Sequence, residues 1–181
     1  MEVVKVRNVI IGKGRPKICV PIVAMTREEI FGEARAFVSL PVDLVEWRVD
    51  WYEDVADVSK VLDTAGVLRK ILGDMPLLFT FRTEREGGER AVGPEDYITL
   101  NKAAAESGDV DLLDVELFTG DEAVRTVIEH AHRHQVKVIV SSHDFRRTPS
   151  KEELLGRMRK MQDLGADIPK IAVMPQLKRD V

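Results

Sequence analysis

The sequence predicts an α/β protein of parallel βα units, arranged as a (β/α)8-type barrel of which about six units are present after an N-terminal β-hairpin. Two observations predict it. Short β-branched apolar runs recur every 20 to 35 residues or so, each followed by a stretch of helical periodicity. Polar residues fall at the C-terminal ends of nearly every such run, from Glu46 and Arg48 to Lys170. An open doubly wound sheet suits the count of six strands, but polar strand ends converging on one mouth suit a barrel.

The elements follow in order. Val3 to Ile11 with the turn Gly12-Lys13-Gly14 forms a hairpin ahead of the repeats; a lone GxG with no helix after it is a turn and not a phosphate cradle. Strands are expected at Lys17 to Ala24, Asp43 to Asp50, Pro76 to Thr83, Val110 to Leu117, Val136 to His143 and Asp167 to Met174. Helices are expected at Arg27 to Val38, Val55 to Leu72, Pro94 to Glu106, Asp121 to His134 and Lys151 to Leu164. Thr26 before Arg27-Glu28-Glu29 reads as a capping box, Ser150 before Lys151-Glu152-Glu153 reads the same way, and Pro94 suits a first helical turn. Gly66 interrupts the second helix. No linker or composition break divides residues 1–181, so one domain is expected. It is expected to be an incomplete one, because a barrel typically takes about 250 residues and this chain stops just after its sixth strand.

Composition narrows the function. With 181 residues, 44% hydrophobic and 32% charged, the chain has the make-up of a globular domain. A formal net charge of −4 argues against nucleic acid as a partner, since neutralising phosphates takes an excess of Lys and Arg. The sequence has no run of about 18 apolar residues and no signal-peptide core at its charged start, so no membrane association and a cytoplasmic location are expected. Cys19, the single cysteine, lies in the apolar run Ile18-Cys19-Val20 and is expected to be a small buried hydrophobe.

The most informative residue is Lys170, within Ile168-Pro169-Lys170-Ile171-Ala172-Val173. A lysine in an apolar strand is desolvated, and a neutral amine is what attacks a carbonyl to form a Schiff base; the alternative is a strand-end lysine snorkelling to solvent. One strand earlier, Val138-Ile139-Val140-Ser141-Ser142-His143-Asp144 brings an imidazole to a strand end, where it can exchange protons near neutral pH. Glu46, Arg48 and Asp50 share one face of the second strand, Arg82 ends the third, Asp114 and Glu116 share a face of the fourth, and the charged loop Thr83 to Glu89 holds a Gly pair read as flexible. These charges are either substrate contacts or ion pairs across an inter-strand polar layer, since buried charges must be paired. His130 and His134 share a helix face at i, i+4, but no H-E-x-x-H pattern accompanies them; a solvated helix end is expected, and no metal.

Taken together, Glu46-Trp47-Arg48-Val49-Asp50, Phe79-Thr80-Phe81-Arg82, Glu86-Gly87-Gly88-Glu89, Asp114-Val115-Glu116-Leu117, Ser142-His143-Asp144-Phe145 and Pro169-Lys170-Ile171-Ala172-Val173-Met174-Pro175 resemble the motifs of type I 3-dehydroquinate dehydratases, in order along the whole chain. The resemblance implies a barrel of the class I aldolase type, a homodimer, a hairpin under the barrel, and dehydration of 3-dehydroquinate in the shikimate pathway with no cofactor. By it, Lys170 forms the imine, His143 is the general base and acid, Glu86 orients His143, and Glu46, Arg48 and Arg82 hold the substrate and the region around the imine. Cationic Arg near Lys170 would also help keep the amine neutral. The resemblance further places an Arg carboxylate clamp, Ser and Gln contacts and a lid on a seventh and eighth unit, so the chain by itself is expected to be poorly active. A Schiff-base aldolase on the same barrel and a non-catalytic fragment are the competing readings.

Overall fold

A computed structural model describes residues 3–180; the charged start at Met1 and Glu2 and the chain end at Val181 lie outside the described residues. Two strands, β1 (Val4–Val6) and β2 (Val9–Ile11), pair antiparallel. Six further strands alternate with helices: β3 (Cys19–Ile22), α1 (Arg27–Val38), β4 (Leu44–Arg48), α2 (Val58–Leu72), β5 (Leu77–Thr80), α3 (Pro94–Glu106), β6 (Leu112–Glu116), α4 (Asp121–Arg133), β7 (Lys137–Asp144), α5 (Lys151–Asp163) and β8 (Ile168–Val173). The six strands form one parallel sheet in chain order, β3-β4-β5-β6-β7-β8, with β3 and β8 at its edges. The sheet is curled, a half-barrel with its helices on the outside.

Alternation of side chains along each strand makes two packing zones. Val45, Trp47, Leu77, Phe79, Leu113, Val115, Val138 and Val140 point outward and merge with the inward stripes of the helices, such as Ile30, Leu68 and Val127, into the main core. Trp47 meets Phe79 edge-on at 5.7 Å and packs at 6.0 Å from Tyr52, which ties β4 to β5. On the concave side, Leu44, Leu78, Leu112 and Ile139, each near the start of its strand, form a separate apolar layer with Val6 of the hairpin. The hairpin therefore floors the curled sheet. Asp111 fastens it there by accepting from Arg7 of the hairpin, from Arg69 of α2 at 2.7 Å and from the Leu77 amide at 2.8 Å.

Local signals place the helices as expected, with instructive differences. Thr26 and Glu29 complete the capping box of α1. Ser150 caps α5 but Glu153 does not reciprocate, because Arg147 and Arg157 occupy its carboxylate. The second helix starts at Val58 and not at Val55, since Asp57 supplies the N-cap. It runs unbroken through Gly66, where an added Cβ would lie 3.4 Å from the Asp109 side chain. The hairpin turns at Arg7-Asn8, with Arg7 at φ 49°, so Gly12 and Gly14 follow the hairpin and do not close it. Five of the six strands are shorter than expected; β4 and β6 are so because they end in 3-10 turns, Val49–Trp51 and Leu117–Thr119. No helix among the described residues is long and apolar enough to cross a membrane.

Leu112 is fully buried in the floor layer. Leu112→Ala is expected to cost about 2–5 kcal/mol, read as a lower urea midpoint at unchanged m; a loss under about 1 kcal/mol would show that the hairpin layer is not tightly packed.

Candidate active site

Above the apolar floor the concave face turns polar. Glu46 and Arg48 of β4, Thr80 of β5 and Arg82 just past it, Asp114 and Glu116 of β6, Ser141 and His143 of β7, and Lys170 of β8 occupy alternate positions that all face the inside of the curl. Register brings them level: Thr80 pairs with Asp114, Glu116 with Ser141, and Ser141 with Lys170. Lys170 and His143 consequently stand on adjacent strands, same face, two residues apart in register.

Arg82 is the hub of this layer. It is 4% exposed, and its guanidinium donates to Asp114 at 2.8 Å, Glu116 at 2.9 Å and the Ser141 hydroxyl at 3.0 Å. Ser141 in turn donates to Asp114 at 2.6 Å, and the Lys170 ammonium reaches the other oxygen of Asp114 at 3.3 Å. Glu116 also accepts from the Thr83 amide and hydroxyl at 2.8 and 2.7 Å. For Arg82, Asp114, Glu116 and Lys170 the ion-paired polar layer is therefore what the structure shows. The charged group in contact with Lys170 is a carboxylate and not the guanidinium anticipated, because Arg82 is taken up by Asp114 and Glu116 and Arg48 by Asp50 at 2.9 and 2.8 Å.

These contacts set the charge states. Burial alone would raise the Asp114 carboxyl, but Arg82, Lys170 and the Ser141 hydroxyl outweigh it and hold it below the ordinary carboxylate range. Glu116 shifts the other way: its burial outweighs the Thr83 bonds and Arg82, and Glu86 adds repulsion. Tyr97, buried behind β6, donates to the Asp114 carbonyl and accepts from the Glu116 amide at 3.1 Å, which braces the strand carrying both acids.

Glu86 comes to His143 through a tight loop. After a 3-10 turn at Glu84–Glu86, Gly87 adopts φ 83° and Gly88 lies where a Cβ would be 1.9 Å from the Arg82 carbonyl oxygen. The Gly pair is therefore a requirement of close approach and not a flexible hinge, and Asp50 pins the loop further by accepting from the Glu89 amide at 3.1 Å. Buried Glu86 then accepts from the His143 amide at 3.0 Å and lies 2.8 Å from its Nδ1. A carboxylate only accepts, so Nδ1 carries the proton in that bond and Nε2 is the nitrogen left for chemistry. The imidazole stacks on Phe145 at 6.1 Å.

Of the expected site residues, Lys170, His143, Glu86 and Arg82 join one connected cluster. Arg48 sits beside it, linked through Asp50, whose Oδ1 also accepts from the Arg82 amide at 3.3 Å. Glu46 is half-buried on β4 without a hydrogen bond or ion pair among the described residues. Ser141 and Thr83 were not singled out by sequence; short hydroxyl side chains carry no chemical signal until register sets them beside a charge. Cys19 corrects the sequence expectation: it lies exposed on the edge strand β3 and not in the core. The residue as a whole is exposed, but its thiol is partly shielded from water; that shielding, then the Glu46 carboxylate, pushes it up to about 12, so it is protonated at neutral pH.

Because the folded Asp114 pKa lies below its unfolded value, its contribution to stability is present above the ordinary value near 3.8 and is lost as pH falls through the folded one. Asp114→Asn should cost about 3–5 kcal/mol at neutral pH, by leaving Arg82 and Lys170 underpaired, and should flatten the loss of stability on acidification. Urea unfolding across that pH range checks both; an unchanged acid limb in the variant would show that Asp114 is not the group responsible.

Comparison with known proteins shows the family and the fold. A model of the family described as type I 3-dehydroquinase matches residues 18–181. The 3-dehydroquinate dehydratase of Salmonella agona is 52% identical over all 181 residues, which span 72% of that relative's length. The solved type I 3-dehydroquinate dehydratase of Clostridium difficile, with covalently modified comenic acid, superposes with a TM-score of 0.98 at 50% identity, over 99% of this chain and 71% of that one. The solved 3-dehydroquinate dehydratase of Enterococcus faecalis gives 0.95 at 50% identity, over 98% of this chain and 74% of that one. With a family match over most of its length and half its residues shared with these relatives, the chain belongs to the type I 3-dehydroquinase family.

Proposed function

We propose that the protein dehydrates 3-dehydroquinate to 3-dehydroshikimate, the third step of the shikimate pathway, through a Schiff base on Lys170. The observation that carries the reading is the placement of Lys170 and His143 on adjacent strands of one polar face, with Glu86 holding Nδ1 of His143 so that Nε2 is free. The Clostridium difficile relative, at 50% identity, was solved with covalently modified comenic acid, which supports a reading that involves covalent chemistry.

In this mechanism the Lys170 amine adds to the C3 ketone and water leaves, forming an imine whose protonated nitrogen draws electrons from C2. His143 Nε2 takes the C2 proton, and the pair of electrons left behind moves into an enamine. The same imidazolium gives its proton to the C1 hydroxyl, which departs as water, and hydrolysis of the unsaturated imine releases product and regenerates the lysine. Glu86 stabilises the imidazolium between these two transfers. Glu46 and Arg48 hold the substrate around the imine, and Arg82 anchors the wall of the site by fixing Asp114, which positions the lysine.

Incubation with 3-dehydroquinate and borohydride, followed by peptide mapping, should find a reduced adduct on Lys170 that disappears in Lys170→Ala. An adduct on another lysine, or none from a folded chain, would overturn the assignment. Glu86→Gln should slow the elimination step by about 10²-fold or more while leaving imine trapping intact; equal losses in trapping and elimination would mean that Glu86 supports the fold and not the proton transfers.

A further inference from the structure

Three groups far from this face converge at the other end of the molecule. Glu106 is the last residue of α3, His130 lies in the last turn of α4, and His134 caps it. Their ligating atoms all lie within 4.8 Å of one another. The sequence predicts a solvated helix end for the two histidines, but His130 is only 8% exposed, and its ring packs 4.9 Å from that of His134. The reason is the neighbouring helix: α3 and α4 pack side by side, and Glu106 closes over the pair.

His130 Nε2 lies 2.8 Å from a Glu106 oxygen, yet that buried nitrogen has no aligned hydrogen-bond partner. A buried ring nitrogen next to a carboxylate but out of line with it leaves a polar atom unsatisfied, which proteins avoid. An ion placed between the three groups resolves this, because ligands at about 2.0–2.2 Å from a tetrahedral centre are separated by about 3.4 Å, a spacing inside the 4.8 Å within which these atoms all lie. Both helices also end here, so the negative ends of two helix dipoles face the same point. His132, one position off this face, is committed elsewhere, 2.7 Å from Asp167.

We propose that Glu106, His130 and His134 form a divalent transition-metal site, taking zinc or a similar borderline ion, that clasps α3 to α4 on the face opposite the candidate active site. Two imidazoles and one carboxylate favour zinc, nickel or copper over magnesium or calcium, which prefer oxygen-only shells. Water would complete the shell on the exposed side. The three ligands immediately precede β6 and β7 at their starts, away from Lys170 and His143, so the ion stabilises the fold and takes no part in the reaction. Burial, which outweighs the attraction of Glu106, together with the nearby Lys102 and Arg133 cations, favours the neutral imidazole that a metal needs. The same two cations temper affinity.

The test is a calorimetric titration of the EDTA-treated chain with zinc chloride, with thermal unfolding followed in parallel and magnesium chloride as control. Zinc should bind one to one and, at a hundredfold excess over its dissociation constant, raise the unfolding midpoint by about 5–10 °C, with no effect of magnesium. His134→Ala changes an exposed residue and so leaves folding intact; it should weaken binding at least about tenfold and erase the thermal shift. Glu106→Gln should weaken it as well, and His132→Ala should bind zinc as the parent does. Absence of zinc binding in the folded parent, or an unchanged affinity in His134→Ala, would overturn the proposal.

Discussion

The buried contact of Arg82 with Asp114 and Glu116 is the constraint on which the polar half of this molecule depends. A parallel sheet covered by helices has no use for charge on its concave face unless each charge is matched, since an isolated buried ion is far more costly than a paired one. Here one planar guanidinium answers two acids on the neighbouring strand and a hydroxyl on the next, spanning three strands with a single side chain. The loop after β5 depends on the same network, because Thr83 donates twice to Glu116 and Glu86 lies only a few residues further on. That loop carries the carboxylate to His143. Remove the hub and both the amine of Lys170 and the orientation of the imidazole lose their reference points.

The layering of the concave face explains why chemistry is possible at one end only. Leu44, Leu78, Leu112 and Ile139 with Val6 seal the starts of the strands. The charged cluster of Arg82, Asp114, Glu116, His143 and Lys170 therefore lies toward the strand ends, where loops of the βα type can reach it. The outer core, from Trp47 to Met161, is continuous with the helices and holds the curl in shape. Rigidity of the strands then transfers to the candidate groups: His143, Lys170 and Asp114 all sit on strands, Arg82 stands just past the end of β5, and Glu86 arrives from the loop that follows, which is why that loop is so heavily tied down. Elements that a helix-based view treats as connectors, such as Gly87 and Gly88, turn out to be among the most constrained positions.

Much of this was legible in the sequence. Periodicity marks strands and helices because burial on one side of an element is a one-dimensional property, and five helices fall within a few residues of their expected bounds. Lys170 and His143 stood out because charge and imidazole are rare within apolar strands, and the ordered motifs carried the family. Boundaries failed where a competing local bond decided, as at Asp57, or where a strand passed into a 3-10 turn. Residues whose meaning is relational stayed silent: Ser141 is an ordinary serine until register sets it between Arg82 and Asp114, and Cys19 looked buried because its neighbours in sequence are apolar, although its strand is an edge.

By itself, then, the sequence determined the alternation of elements, the apolar outward face of the sheet and the candidate lysine and histidine, all of which follow from local propensity and spacing. Only the tertiary structure decided which carboxylate meets which cation, which nitrogen of His143 is occupied, and that Glu106 closes over His130 from another helix. Those are contacts between residues tens of positions apart, set by strand register and helix packing, and no local pattern encodes them.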